Sequence, residues 1–519
     1  MSEEQKLQPS AAADLSEKHF RTGHLMAAIG GHTARAGMVT MMSHGLKVVL
    51  SVVATAVLAR LLSPHDYGLI GMVAVATNFV SMFKDLGLSF PTVQQREINF
   101  DQISTLFWIN VSVSVALIAI MVALAPALSW FYGEPRLTMI TIVMAMGFVL
   151  GGVAVQHDAL LRRQMRFFAL SGIALTSMVM SYAVGIIMAW RGAGYWSLVF
   201  SQLALLATNA IGVLMLCRWR PGLPKRNSGV MSMVSFGGNI TGYAVINYFS
   251  KNFDSLVIGK FWGAQNLGLF NKAGQLLAIP EQVDEPLSSV ALPALSRLAD
   301  SPERYRRAYL RMLDKVMLLT MPAMTLAIVC SDWLVLIVLG SQWTGTARVL
   351  ALLGIAALFQ PVVNSAGWLF LTQGRGRHML QWSMMNSPIS IASILVGLPW
   401  GPIGVAASYS LTRLLLVNQL LFWFVGRTGP VRRADFYRHL APFVLAAMAS
   451  VLACLAARWL FHLETPIIGI ACSAAITAAT TLATLWLIPA GRAALLDVKY
   501  SILLLRPLGT DSAVPAQEC

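Results

Sequence analysis

VSVSVALIAIMVALAPAL, residues 111–128, runs for 18 positions without one charged side chain. Crossing ~30 Å of hydrocarbon takes ~20 apolar residues at 1.5 Å of helical rise each, so this stretch reads as most of a transmembrane helix. Comparable runs recur along the 519-residue chain. Only 12% of residues are charged and 56% are hydrophobic, with a mean hydropathy of +0.66. A soluble domain carries about 25% charge, so a water-facing globule is excluded.

Gly, Pro and charge punctuation separate about fourteen spans, near 37–62, 67–86, 103–131, 137–156, 167–190, 194–217 and 231–258, then 267–295, 309–339, 346–372, 378–396, 403–425, 436–460 and 466–489. The expected fold is an all-α integral membrane protein. Residues 1–36 are polar and form an N-terminal tail, with no cleavable leader expected. An N-lobe of six helices covers 37–218, a linker 219–230, a C-lobe of six helices 231–426, two further helices 436–490 and a tail 491–519.

The net charge of +15 follows topology. On alternate connections, 28 of the 38 Lys and Arg residues collect on one side and six on the other, with four inside spans. By the positive-inside rule both termini are cytoplasmic. A nucleic-acid patch is the weaker reading of the same charge. The five cysteines lack CxxC spacing and sit mostly in apolar segments, where a thiol acts as a small hydrophobe.

A repeat lies 200 residues apart. Residues 57–70 read VLARLLSPHDYGLI and residues 257–270 read VIGKFWGAQNLGLF, matching Val57 with Val257, Arg60 with Lys260, Gly68 with Gly268 and Leu69 with Leu269. Each copy sits at the turn between the first two helices of a six-helix block. Six is even, so both halves enter the membrane in the same sense, as parallel repeats about the membrane normal. That arrangement leaves a cavity between two lobes.

Polar residues inside spans mark the candidate pathway. Lys47 lies in the first span, Asn78 and Asp85 in the second, Asn247, Lys251 and Asp254 in the seventh, Lys272 and Gln275 in the eighth and Arg413 in the twelfth. A Lys or Asp at mid-membrane costs ~2.5 to 3.5 kcal/mol on translocon scales, so such residues face a protein interior or a wet cavity. For Lys251 and Asp254, three residues apart, mutual neutralisation within the packing is the alternative. Pro280, Pro286, Pro322 and Pro361 mark bends, as hinges or as static kinks.

No GxxxxGK[ST], HExxH, GxSxG or DxD occurs, and the histidines are scattered. No enzyme activity, cofactor or metal is expected.

The run ARLLSPHDYGLIGMVAVATNFVSMFKDLGLSFPTVQQREIN, residues 59–99, resembles the N-terminal signature of Wzx-type polysaccharide flippases, within the multidrug/oligosaccharidyl-lipid/polysaccharide exporter superfamily. The run NFDSLVIGKFWGAQNLGLFNKAGQLLAIPEQVDEPLSSVALPALSRLADSPERYRRAYL, residues 252–310, resembles the same family. The nearest flavour is the exopolysaccharide exporters of the colanic acid and succinoglycan type. The resemblance implies a bacterial inner-membrane flippase of undecaprenyl-pyrophosphate-linked oligosaccharides, with membrane lipid and other polysaccharide-assembly proteins as candidate partners. Rival readings are a multidrug exporter of the same superfamily and a non-transporting polymerase, ligase or scaffold of polysaccharide assembly.

Overall fold

The computed structural model describes residues 29–84, 89–94, 98–224, 231–282, 284–462 and 465–504. Among them every regular element is helical. The helices in chain order are α1 Ile29–Leu61, α2 Pro64–Ser81, α3 Ser89–Gln94, α4 Phe100–Tyr132, α5 Arg136–Ala145, α6 Gly147–Arg163, α7 Phe167–Trp190 and α8 Trp196–Cys217. They continue as α9 Met231–Glu281, α10 Asp284–Ser296, α11 Pro302–Val329, α12 Ser331–Val338, α13 Thr344–Ala357 and α14 Gln360–Thr372. The rest are α15 Gly376–Gly397, α16 Gly401–Thr412, α17 Asn418–Thr428, α18 Arg433–Phe461, α19 Pro466–Leu487 and α20 Pro489–Leu504.

Ten helical stretches among the described residues are long and apolar enough to cross a membrane. One of them, Gly376–Arg427, holds the two expected spans 378–396 and 403–425. Expected spans 67–86, 231–258 and 267–295 fall on α2, α9 and α10, which are outside that set. α9 is interrupted by Lys251, Asp254, Lys260 and Lys272, which lower its apolar character.

Local chemistry sets the breaks. Ser63 caps α2: its hydroxyl accepts from the Asp66 N–H and the Asp66 carboxylate accepts from the Ser63 N–H, with Pro64 at the first helical position. The same place in the second copy, 200 residues on, is Gly263, whose φ of 77° and ψ of 177° break α9. A side chain rarely tolerates that conformation, and glycine does. Pro361 opens α14 after the break behind α13. Gly133, at φ 71°, ends α4 in the left-handed region.

The chain packs as two compact units. The first comprises Met1–Ala273, Val338–Val349 and Ser390–Val405, and the second Gly274–Ile337, Leu350–Ile389 and Ala406–Cys519. In the first, α7 lies along α8, α1 packs on α7, and α6 packs on α4 and α8. In the second, the core gathers Tyr305, Tyr309, Phe422 and Phe436, with the two phenylalanine rings stacked at 4.8 Å. The outer surface is apolar: Trp130, Trp190 and Trp459, each near a helix end, are 79% to 83% exposed. Indoles at helix ends are the aromatic belt of a membrane protein.

Candidate functional site

The two repeat copies meet within the first unit. A Cβ placed on Gly68 would overlap the carbonyl of Ala264, and a Cβ on Gly268 would overlap the carbonyl of Pro64. Positions 64 and 264, and 68 and 268, are equivalents in the repeat, so the contact is reciprocal. Reciprocity of this kind is what a two-fold relation produces: i touches j′ and j touches i′. Only glycine allows the backbones this near, as small residues do wherever membrane helices approach closely.

The flanking contacts repeat the pattern. Arg60 and Lys260 are also equivalents. The Arg60 side chain lies against Gly340, beyond α12, while the Lys260 ammonium donates to the Phe131 carbonyl, near the end of α4, and lies 4.9 Å from the Phe131 ring. Trp343 Nε1 donates to the Ala59 carbonyl at 2.7 Å, and Gln342 Nε2 donates to the Ala59 and Leu62 carbonyls at 2.5 and 3.0 Å. The Ala59 carbonyl sits in the last turn of α1 and the Leu62 carbonyl just past it, where no intrahelical donor remains. In the second copy Trp262 Nε1 donates to the Leu398 carbonyl at 2.8 Å. Trp343 further meets the Tyr67 ring edge-on at 5.4 Å. The result is a hydrogen-bonded plug at one end of this unit, with Trp343 buried at its centre and Arg60, Lys260, Trp262 and Gln342 exposed around it.

Beneath the plug, α2 and α9 run together. Asn271 Nδ2 comes to 2.7 Å from where a Cβ on Gly71 would stand, and Tyr248 donates to the Val75 carbonyl at 2.7 Å. Phe249 packs on Phe79 at 4.8 Å. Asp254 accepts from the Ser255 N–H at 2.6 Å, and the Ser255 hydroxyl donates to Asn271 Oδ1 at 3.2 Å. Among the described residues no ion pair joins Lys251 to Asp254. Lys251 is exposed and Asp254 half-buried.

Lys272 is only 5% exposed, and its ammonium sits 3.8 Å from the centroid of the Tyr67 ring. The aromatic face supplies negative potential where water is excluded. Lys47 is half-buried on α1, one turn from His44, and Asn78 is exposed on α2. Asn247 lies on α9 with its side chain outside the described residues, and Asp85 lies outside them altogether. Gln275 and Arg413 belong to the second unit. Gln275 is exposed; Arg413 donates to Gln360 Oε1 at 3.1 Å and lies 5.1 Å from the Tyr409 ring, at the start of a π-helical turn, Arg413–Val417. Such turns are frequent at functional sites.

Within the first unit the Ser255–Asn271 hydrogen bond joins the turns that carry Asp254 and Lys272, and Lys272 reaches Tyr67 of α2. Gln342, Trp343 and Trp262 were not legible as site residues. Their partners are backbone carbonyls far along the chain, which leave no pattern in sequence.

The family described as polysaccharide biosynthesis protein matches residues 57–348, more than half of the chain. The chain belongs to this family. This polysaccharide biosynthesis protein is 25% identical over 384 residues to the lipopolysaccharide biosynthesis protein WzxC of Escherichia coli (strain K12), covering 72% of this chain and 77% of that one. It is 23% identical over 390 residues to the succinoglycan biosynthesis transport protein ExoT of Rhizobium meliloti (strain 1021), covering 74% and 77%. Its fold is similar to that of the lipid II flippase MurJ in an inward closed conformation, with a TM-score of 0.69 at 13% identity over 91% of this chain and 100% of that one. A multidrug resistance MATE family transporter in an inward-facing conformation gives a TM-score of 0.56 at 12% identity, covering 75% and 98%. The polysaccharide biosynthesis family member is therefore a multi-span all-α membrane protein with a transporter fold.

Proposed function

We propose that this protein flips undecaprenyl-pyrophosphate-linked oligosaccharide repeat units from the cytoplasmic to the outer leaflet of a bacterial inner membrane, by alternating access. Both termini are then cytoplasmic, and about fourteen spans form two six-helix lobes with two further helices. The observation that carries the reading is the reciprocal plug built from residues 59–68, 259–268 and 340–343. With the termini inside, this plug closes the outer end, so cargo enters from the cytoplasm. Transport names borne by relatives such as ExoT support the cargo class.

The physics fits such a cargo. Each sugar hydroxyl stripped of water without a partner costs ~1 to 3 kcal/mol, so several sugars do not cross hydrocarbon unaided. A wet path lined by Lys47, Asn78, Asp85, Asn247, Lys251 and Asp254 removes that barrier, with cations meeting the pyrophosphate. Two negative charges moving outward down an inside-negative potential of ~100 mV gain about 4.6 kcal/mol. Direction then needs no ATP. The test compares wild type with Lys47→Gln, Lys251→Gln and the double variant at equal membrane abundance, following labelled lipid-linked repeat units to the outer leaflet. Lost flux supports the electropositive path; wild-type flux in the double variant removes both lysines from it, and drug efflux without polymer export overturns the cargo.

A further inference from the structure

Away from the plug, the first unit carries a groove of about 470 Å³ whose floor is α8 and whose walls are α5–α6 and α7. Met146 and Leu150 form one wall, Val184 and Met188 the other, and Leu203 and Ala204 the floor. No lining residue is polar. Met146, in the break between α5 and α6, is 58% exposed, so the groove opens sideways into hydrocarbon. Methionine side chains adapt their shape, which suits a mobile chain better than a fixed helix.

The groove has a charged mouth. α7 ends at Trp190, and Arg191 follows on the turn into α8, both exposed. Among the described residues the Arg191 guanidinium makes no ion pair. Seven residues separate Val184 from Arg191, or ~10 Å along the helix, so Arg191 lies about two turns beyond the groove wall, at the end of the α7 span. Trp190, 79% exposed beside it, marks the same interface. A cation, an interfacial indole and a hydrocarbon-lined groove in that vertical order match one molecule.

We propose that the groove between α5–α6 and α7 binds an acyl chain of a membrane phospholipid, whose phosphate pairs with Arg191. The lipid belongs to whichever leaflet the α7–α8 turn faces, which is the outer one in the orientation above. A polyprenyl phosphate and a second copy of the chain are the competing occupants.

The experiment titrates the purified full-length protein with phosphatidylglycerol and counts bound lipids by native mass spectrometry. Arg191→Gln lowers apparent affinity about fivefold, since a basic residue near a lipid surface contributes about 1 kcal/mol. Ala204→Trp fills the floor and lowers it about tenfold or more. Equal binding by both variants and wild type overturns the proposal. Photo-crosslinking from benzoylphenylalanine at Met188, in vesicles of phosphatidylethanolamine and phosphatidylglycerol to which a polyprenyl phosphate is added, keeps the test independent of Ala204→Trp folding. A phospholipid adduct supports the site. An adduct with a polyprenyl phosphate, with a second copy, or with nothing overturns it.

Discussion

Gly68 and Gly268 carry a demand that no other residue type meets. Each faces a backbone carbonyl of the opposite repeat copy, and backbone cannot give way as a side-chain tip does. Gly68→Leu or Gly268→Leu should lower stability by ~1 to 3 kcal/mol, the usual range for overpacking, read as a drop in Tm in detergent. Gly274→Ala is the control, because a Cβ there meets nothing within 4 Å. Its Tm should stay level or rise. Lys272 separates two roles by a different comparison. Burial against Tyr67 makes Tyr67→Leu destabilising by about 2 kcal/mol, because a desolvated ammonium loses its ring. Lys272→Met removes the charge with the volume kept, and replacing a buried charge by an apolar group is often neutral. If Lys272 also serves cargo, Lys272→Met loses flux at unchanged Tm; unchanged flux makes the residue purely structural.

Among elements, α11 and α12 are tied to the C-terminal helices at both ends. At one end Arg306 pairs with Asp435, with Nε donating at 2.7 Å, and Lys315 meets Asp497 at 3.2 Å. His439 lies 2.8 Å from Asp314. At the other end Arg458 stacks on Trp333 at 3.8 Å, donates to the Val329 carbonyl at 2.9 Å and pairs with Asp332. Between them hydroxyls line the α18–α19 contact, with Ser450 and Thr480 2.7 Å apart. In sequence, the two further helices 436–490 lie beyond the two six-helix lobes. The contacts make them an integral side of the second unit. Arg458→Ala should cost about 2 kcal/mol through the lost ring contact and hydrogen bonds, read as a drop in Tm in detergent. An unchanged Tm would show that this end is held by the apolar contact of Gly469 with Trp333 instead.

For the whole molecule, the orientation is open to direct measurement. Reporter fusions after Arg226, Arg307 and Arg433 should report cytoplasm, and fusions near His65, Glu134 and Gln342 the opposite side. Reversal at any two would reject the fourteen-span proposal. The proposed role of the plug makes a second demand: if it closes the outer end, it opens for cargo to leave. In a background without the native cysteines, Arg60→Cys and Ser341→Cys joined by a short bifunctional reagent should stop export while leaving lipid-linked substrate binding intact. Export that continues after complete cross-linking would deny the plug any part in transport.

Fold class was written in residue chemistry. Runs such as 111–128 are apolar for longer than any soluble element needs, and their positions matched helices because in hydrocarbon each backbone N–H and C=O is satisfied within its own segment. The break at Gly263 was legible for the same local reason, since its equivalence with Ser63 places the turn. Charge placement along the chain also carries the proposed orientation, through the Lys and Arg of alternate connections. What a lysine touches was not legible. Lys251 and Asp254 share a helix face, yet the carboxylate turns to the Ser255 N–H. Lys272 looked like any cation in a span, and tertiary packing sank it against Tyr67 from another helix. Gly68 and Gly268 stood out as a repeated pair, but their contact crosses some 200 residues. A periodicity records only which face a side chain shares; the neighbour that meets that face is decided when distant helices pack, by contact forces that act over a few ångströms and leave no trace along the chain.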